Sequence, residues 1–160
     1  MTNEPDWLPE LVLLQDYHGK WNDYCDALYE FFLDDFVRTK PQYLGKRFAL
    51  KKHPEYDGKA ATFWHLVSEG NVEEDRTPEM RRCERIRWPR PIIEGNVPAD
   101  VKTWRNERNG KTRILIALAD FSYVVILDDR GGYVLLWTAY PVEREHQRRK
   151  LAKEYGDYAS

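Results

Sequence analysis

The sequence predicts an α+β fold: N-terminal helices packed on a mainly antiparallel sheet of four to five strands, with a C-terminal helix. Three observations carry this. Apolar side chains recur at three-to-four spacing from about Lys20 to Arg38. Asn109-Gly110, a strong short hairpin signal, separates two strand-like segments. A polar stretch from about Val142 to Tyr155 then closes the chain.

Each element has its own reason. In the first helix Trp21, Tyr24, Leu28, Phe31, Phe32 and Asp35-Phe36 form a stripe facing a core, and Pro41 ends it. The shorter apolar patch before it, Leu8 to Leu14, fits helix or strand alike. Arg47 to Lys52 reads as a short extended segment stopped by His53-Pro54. Ala61 to Ser68 (ATFWHLVS) is apolar on both faces, which predicts a buried central strand. Thr77 and Pro78 have the chemistry of an N-cap and first residue, so a helix is expected to run from there into Trp88, where Pro89 and Pro91 break it. The last third reads as a meander: Val101–Glu107, Lys111–Ala119, Tyr123 to Leu127 and Tyr133 to Tyr140, with Asp128 to Gly132 turning the chain before the final strand.

With no repeat or low-complexity tract, 160 residues fit one domain over 1–160: an acidic helical lead over 1–40 and a sheet-based core over 45–155. No apolar run approaches the roughly 20 residues that span a bilayer, so no membrane association is expected. The N-terminus, MTNEPDWLPE, lacks the basic-then-apolar layout of a secretion signal. Cys25 and Cys83 have no metal-type spacing and read as free buried thiols in a reducing, cytoplasmic setting. Charge is unevenly placed. Residues 1–40 hold nine acidic side chains against three basic, whereas residues 75–113 hold eleven basic against six acidic. That asymmetry points to one local anion-binding face, and equally fits a mixed solvated surface.

Three segments carry candidate chemistry. His65 lies in Phe63-Trp64-His65-Leu66; on a strand it would share a face with Phe63 and Val67. A histidine titrates near neutrality and suits acid–base work, but it also fits a core whose backbone satisfies both ring nitrogens. His53, beside Lys51 and Lys52, is the competing histidine, while His18 and His146 read as surface. The arginine cluster is Arg81, Arg82, Arg85, Arg87 and Arg90, with Trp88 inside it. Guanidinium forks match phosphate oxygens and tryptophan stacks on bases, whereas pairing with Glu79 and Glu84 is the structural alternative. Ile86, Trp88 and Ile92-Ile93 have the character to fasten this segment to the sheet. On the last strand Thr138 and Tyr140 alternate onto one face and Trp137 and Ala139 onto the other, making a hydroxyl-bearing rim or an ordinary strand.

No metal and no other cofactor is expected. No histidines or acidic residues have zinc or two-metal spacing, and there is no glycine-rich phosphate loop. Asp34-Asp35, Glu73-Glu74-Asp75 and Asp128-Asp129 read as solvated helix face, loop and turn.

The combination of leading helices, a later antiparallel sheet, a mid-chain histidine and the strand Leu136-Trp137-Thr138-Ala139-Tyr140 resembles the barnase–EndoU–colicin–RelE group of small metal-independent ribonucleases, which includes bacterial and phage toxin domains. The resemblance covers about residues 45–155. It implies RNA as substrate, cleaved by attack of the ribose 2′-hydroxyl on the adjacent phosphorus. His65 or His53 would transfer the proton. Arg85 and Arg87 would contact the phosphate with Arg82 in reserve, Trp88 would stack on a base, and Thr138 and Tyr140 would position or protonate the leaving oxygen. It also implies a protein partner of antitoxin, immunity or assembly type. The competing class is a noncatalytic bacterial or phage protein-interaction module, using the acidic helix and the aromatic-rich sheet.

Overall fold

The apolar stripe near the N-terminus forms helix α1, Trp21–Leu33, burying Tyr24, Cys25, Leu28 and Phe32 along one side. The computed structural model describes residues 4–70, 72, 75–95 and 97–159. Before α1, residues 8–13 form neither helix nor strand, and one 3-10 turn follows at Leu14–Tyr17. The helix ends in a π-helical turn, Asp34–Arg38, and Thr39 Oγ1 donates to the Asp34 carbonyl at 2.7 Å. A short strand, β1 (Arg47–Ala49), lies within the expected extended segment.

Ala61–Val67 is a helix, α2, and not the central strand its apolar run predicts. Ala61, Thr62, Phe63, His65, Leu66 and Val67 are all buried, so the segment is covered on every side and carries no helical stripe. Its start is fixed by tertiary contacts. The Ala61 and Thr62 N–H groups donate to the Lys52 and Lys51 carbonyls at 3.0 and 2.9 Å, and Thr62 Oγ1 accepts from the Lys51 N–H at 2.7 Å.

The chain then folds into a two-stranded antiparallel ribbon, β2 (Ser68–Glu69) with β3 (Thr77–Pro78). Thr77 and Pro78 are therefore strand residues and do not open a helix. Helix α3 is Met80–Glu84, and its cap is Glu79, whose carboxylate accepts from the Arg82 N–H at 2.7 Å. Pro89 and Pro91 do not break a helix either. They open α4, Pro89–Glu94, because first-turn residues have no intrahelical acceptor and a proline there loses no bond. Ile86, Trp88, Ile92 and Ile93 are buried in the main core, as their apolar character predicts.

The meander follows its predicted course: β4 (Val101–Arg108), β5 (Lys111–Leu118), β6 (Tyr123–Asp129) and β7 (Tyr133–Pro141). Asn109 and Gly110 both take positive φ, the backbone that a tight two-residue hairpin requires. β1 pairs parallel with β7, giving the order β1-β7-β6-β5-β4. Both faces of this sheet are covered. Ile114, Ile116, Val125 and Leu127 face the core shared with α1, α2 and α4. Leu115, Ala117, Val124 and Ile126 face Trp104, Phe121 and the C-terminal helix α5, Glu145–Ala159. Trp104 Nε1 and Asn106 Nδ2 both donate to Glu154 Oε1, at 2.7 and 2.8 Å, and pin α5 to β4.

Two carboxylates expected in solvent are buried. Asp35 is 9% exposed, and burial raises its pKa against the opposing pull of Arg87 and Arg90. Asp128 is 2% exposed and lies 3.3 Å from Arg130. Glu73-Glu74 lies outside the described residues. Cys25 and Cys83 are free and buried. Among the described residues no helix is long and apolar enough to cross a membrane.

Candidate functional site

The site forms where a strand edge runs out of partners. β1 pairs with β7 only at Tyr133, Val134 and Leu135. Beyond Leu135 that edge has no strand beside it among the described residues, and an open edge presents unpaired carbonyl and N–H groups. Helix α2 closes the gap with side chains. His65 Nδ1 lies 3.2 Å from the Trp137 carbonyl oxygen. A carbonyl only accepts, so Nδ1 carries the hydrogen in this contact. Thr138 Oγ1 answers by donating to the His65 carbonyl at 2.9 Å.

A β-bulge sets this geometry. Ile126 pairs with Thr138 and Leu127 with Leu136, which leaves Trp137 as the extra residue. Its ring lies 4.8 Å from the imidazole, with Lys51 Nζ 5.6 Å from the indole centroid. The simple alternation is interrupted here. Ala139 joins the main core with Leu136, while Trp137 packs toward the α5 side, so the two do not share a face. Thr138 and Tyr140 do share one, opposite Ile126 and Val124.

Two arginines gather at the C-terminal end of α2, where helix carbonyls point outward and attract cations. Arg82 Nη1 donates to the Ser68 carbonyl at 2.7 Å and to that of His65 at 3.2 Å. Arg76 donates from Nε to Ser68 Oγ at 2.9 Å, from Nη2 to the Ser68 carbonyl at 2.6 Å and from Nη1 to the Gly70 carbonyl at 2.9 Å. The backbone thereby holds both guanidinium groups in place. Arg82 also lies 5.1 Å from the Tyr140 ring centroid. Among the described residues its Nε and Nη2 make no hydrogen bond, and that edge matches two phosphate oxygens.

His65, Glu69, Gly70, Arg76, Arg82, Trp137 and Thr138 line one cleft of about 310 Å³. His65 is only 3% exposed, so little more than its rim reaches the opening. Two fixed cations, a carboxylate and an imidazole can together hold an oxyanion and move a proton beside it.

Of the residues singled out from sequence, the fold brings His65, Arg82 and Thr138 together. Tyr140 stands behind Arg82, and burial raises the pKa of its phenol. Thr138 already donates its hydroxyl hydrogen to His65, which suits positioning and not proton donation. Arg85 and Arg87 do not reach the cleft. Arg85 donates to the Arg81 carbonyl and covers Trp88. Arg87 lies over Phe31, 3.9 Å from Asp35. Both are drawn away because α3 ends at Glu84, and no continuous helix carries them onto the face of Arg82. Trp88 is 3% exposed, with its indole N–H on the Pro9 carbonyl, so no base can stack on it. His53 stands in an exposed loop, 4.0 Å from Glu55.

Glu69 and Arg76 are the residues that sequence reasoning missed. Glu69 ends β2 and Arg76 directly precedes β3, and strands of two residues are too short for any alternation to register. Among the described residues no group of three or more histidine, cysteine or acidic side chains is placed to hold a metal ion. Compared with protein-family models, with curated proteins and with solved structures, the chain matches none.

Proposed function

We propose that the chain is a ribonuclease of toxin type, working without a metal at the cleft between α2, the β2–β3 ribbon and β7. The single observation that carries this reading is the meeting of His65 with Arg76, Arg82 and Glu69 on one polar cleft. In this reading the His65 imidazole takes the proton of the ribose 2′-hydroxyl as that oxygen bonds to phosphorus. The P–O5′ bond breaks, and His65 returns the proton to the departing 5′-oxygen, leaving a 2′,3′-cyclic phosphate. The Nε and Nη2 edge of Arg82 takes the charge that builds on the phosphoryl oxygens, and Arg76 adds a second positive charge nearby. Glu69 gives the cleft another group able to accept or return a proton. Thr138 and Trp137 hold the imidazole in register.

The test is incubation with total bacterial RNA in EDTA, comparing wild type with His65→Asn and Arg82→Gln. The asparagine amide can still reach the Trp137 carbonyl, but it transfers no proton. Arg85→Ala, remote from the cleft, is the control that should still cleave. Loss in the first two with retention in the third supports the reading.

A noncatalytic protein-interaction module is the second reading. One observation favours it: His65, Thr138, Arg76 and Arg82 all bind backbone of α2, β2 or β7, which is what a purely architectural role would require. Intact RNA after prolonged incubation with wild type would make that reading the better one.

A further inference from the structure

A second concavity, about 350 Å³, adjoins the polar cleft and has the opposite character. Trp21, Pro54, Tyr56, Trp64 and Pro78 give it aromatic and proline walls. Arg76 lines both hollows, so its side chain borders the two. The aromatic wall is built and held: Trp64 Nε1 donates to the Tyr56 carbonyl at 3.0 Å, and the two rings meet edge-to-face at 5.5 Å. Yet Tyr56 remains 72% exposed, a large flat ring turned to solvent that contributes nothing to the core.

From this we propose that the groove is a nucleobase-stacking subsite for single-stranded RNA, a reading that rests on the ribonuclease proposal above. Bases stack on aromatic faces whatever their sequence, and the adjoining cations receive the backbone. Charge gives the ligand its direction. The groove sets Glu55 against Arg76, whereas the cleft sets Glu69 against both Arg76 and Arg82, so the positive excess lies on the cleft side. The base therefore occupies the Tyr56–Trp64 groove, and the phosphate joined to it through the ribose reaches Arg76.

The probe is a short single-stranded RNA with every 2′-hydroxyl methylated, which cannot be cleaved, followed by fluorescence anisotropy at low salt. Wild type and Arg85→Ala, remote from both hollows, are expected to bind it equally. Tyr56→Ala weakens binding about tenfold, the loss of one base–aromatic stack. Tyr56→Phe keeps the ring and restores wild-type affinity. An abasic strand of the same length binds weakly and alike to all variants. Equal affinity of Tyr56→Ala and wild type, or an abasic strand that binds as tightly as the full one, overturns the subsite. No binding by wild type overturns it as well. Cleavage is scored separately. A Tyr56-dependent affinity with no RNA cleavage keeps the subsite and removes the catalytic reading. His65-dependent cleavage with Tyr56-independent binding does the reverse.

Discussion

Removing the His65 side chain should open the strand edge that α2 closes. The Nδ1 hydrogen bond to Trp137 spans 72 residues of sequence and joins a helix to the unpaired half of β7. Losing the donor leaves that carbonyl without its partner, at about 1–3 kcal/mol. Losing the ring contact with Trp137, at 4.8 Å, adds about 1 kcal/mol. His65→Ala should therefore lose about 2–4 kcal/mol, while His65→Asn, which keeps a donor at the δ position, should lose about 1 kcal/mol. Urea unfolding followed by tryptophan fluorescence reads this directly. With a slope near 2 kcal/mol/M, the alanine midpoint falls by about 1–2 M and the slope stays constant. Equal midpoints for the alanine and asparagine variants, both near wild type, would refute the account of how the edge is closed.

Thr138→Val removes the hydroxyl that donates to the His65 carbonyl; it should cost about 1 kcal/mol in the same unfolding assay and leave residual cleavage, because the role is positioning. Asp129 is held well below the ordinary carboxylate range, at about 2, first by Arg105 and then by the Gly131 N–H and Lys46. Its folded pKa is depressed, so its stabilisation is present above about pH 4 and is lost as pH falls through about 2. The shift is worth about 2 kcal/mol at face value, reduced to about 1 kcal/mol because Arg105 and Lys46 keep 37% and 29% of their side-chain surface in solvent. The stability gap between wild type and Asp129→Asn should accordingly be full at pH 6 and mostly lost by about pH 2, and a gap independent of pH would contradict it. Burial pushes the Cys83 thiol up to about 12 and raises Cys25 too. Neither should react with a disulfide reagent at pH 8 faster than the protein opens; labelling within the mixing time would refute their placement.

The parts of the fold legible in the sequence were those whose signals are local. Asn109-Gly110 fixes the hairpin because its turn chemistry is local, and the stripe from Trp21 to Phe36 fixes α1 because its other side meets solvent. Helix α2 was not legible for the opposite reason: with six of its seven residues buried, no polar face marks its period. Pro78 and Pro89 each fit a helix start, and only tertiary pairing decides that the first is a strand residue and the second opens α4. The candidate site divides the same way. His65, Arg82 and Thr138 could be singled out by chemistry, and they meet because α2 lies against the bulged edge of β7. Arg85, Arg87 and Trp88 lie close to Arg82 in sequence, but the turn after Glu84 carries them away from the cleft. Glu69 and Arg76 become neighbours of the cleft through a ribbon too short to read.

What decides the reading is metal-free cleavage of RNA by wild type and His65→Asn, with both proteins shown folded by unfolding free energies that agree to within about 1 kcal/mol. Wild type should leave 2′,3′-cyclic phosphate ends in EDTA, and the variant should lose at least about a hundredfold in rate, in keeping with the removal of a proton-transfer group. Equal cleavage by the two proteins, or none by wild type, would contradict it.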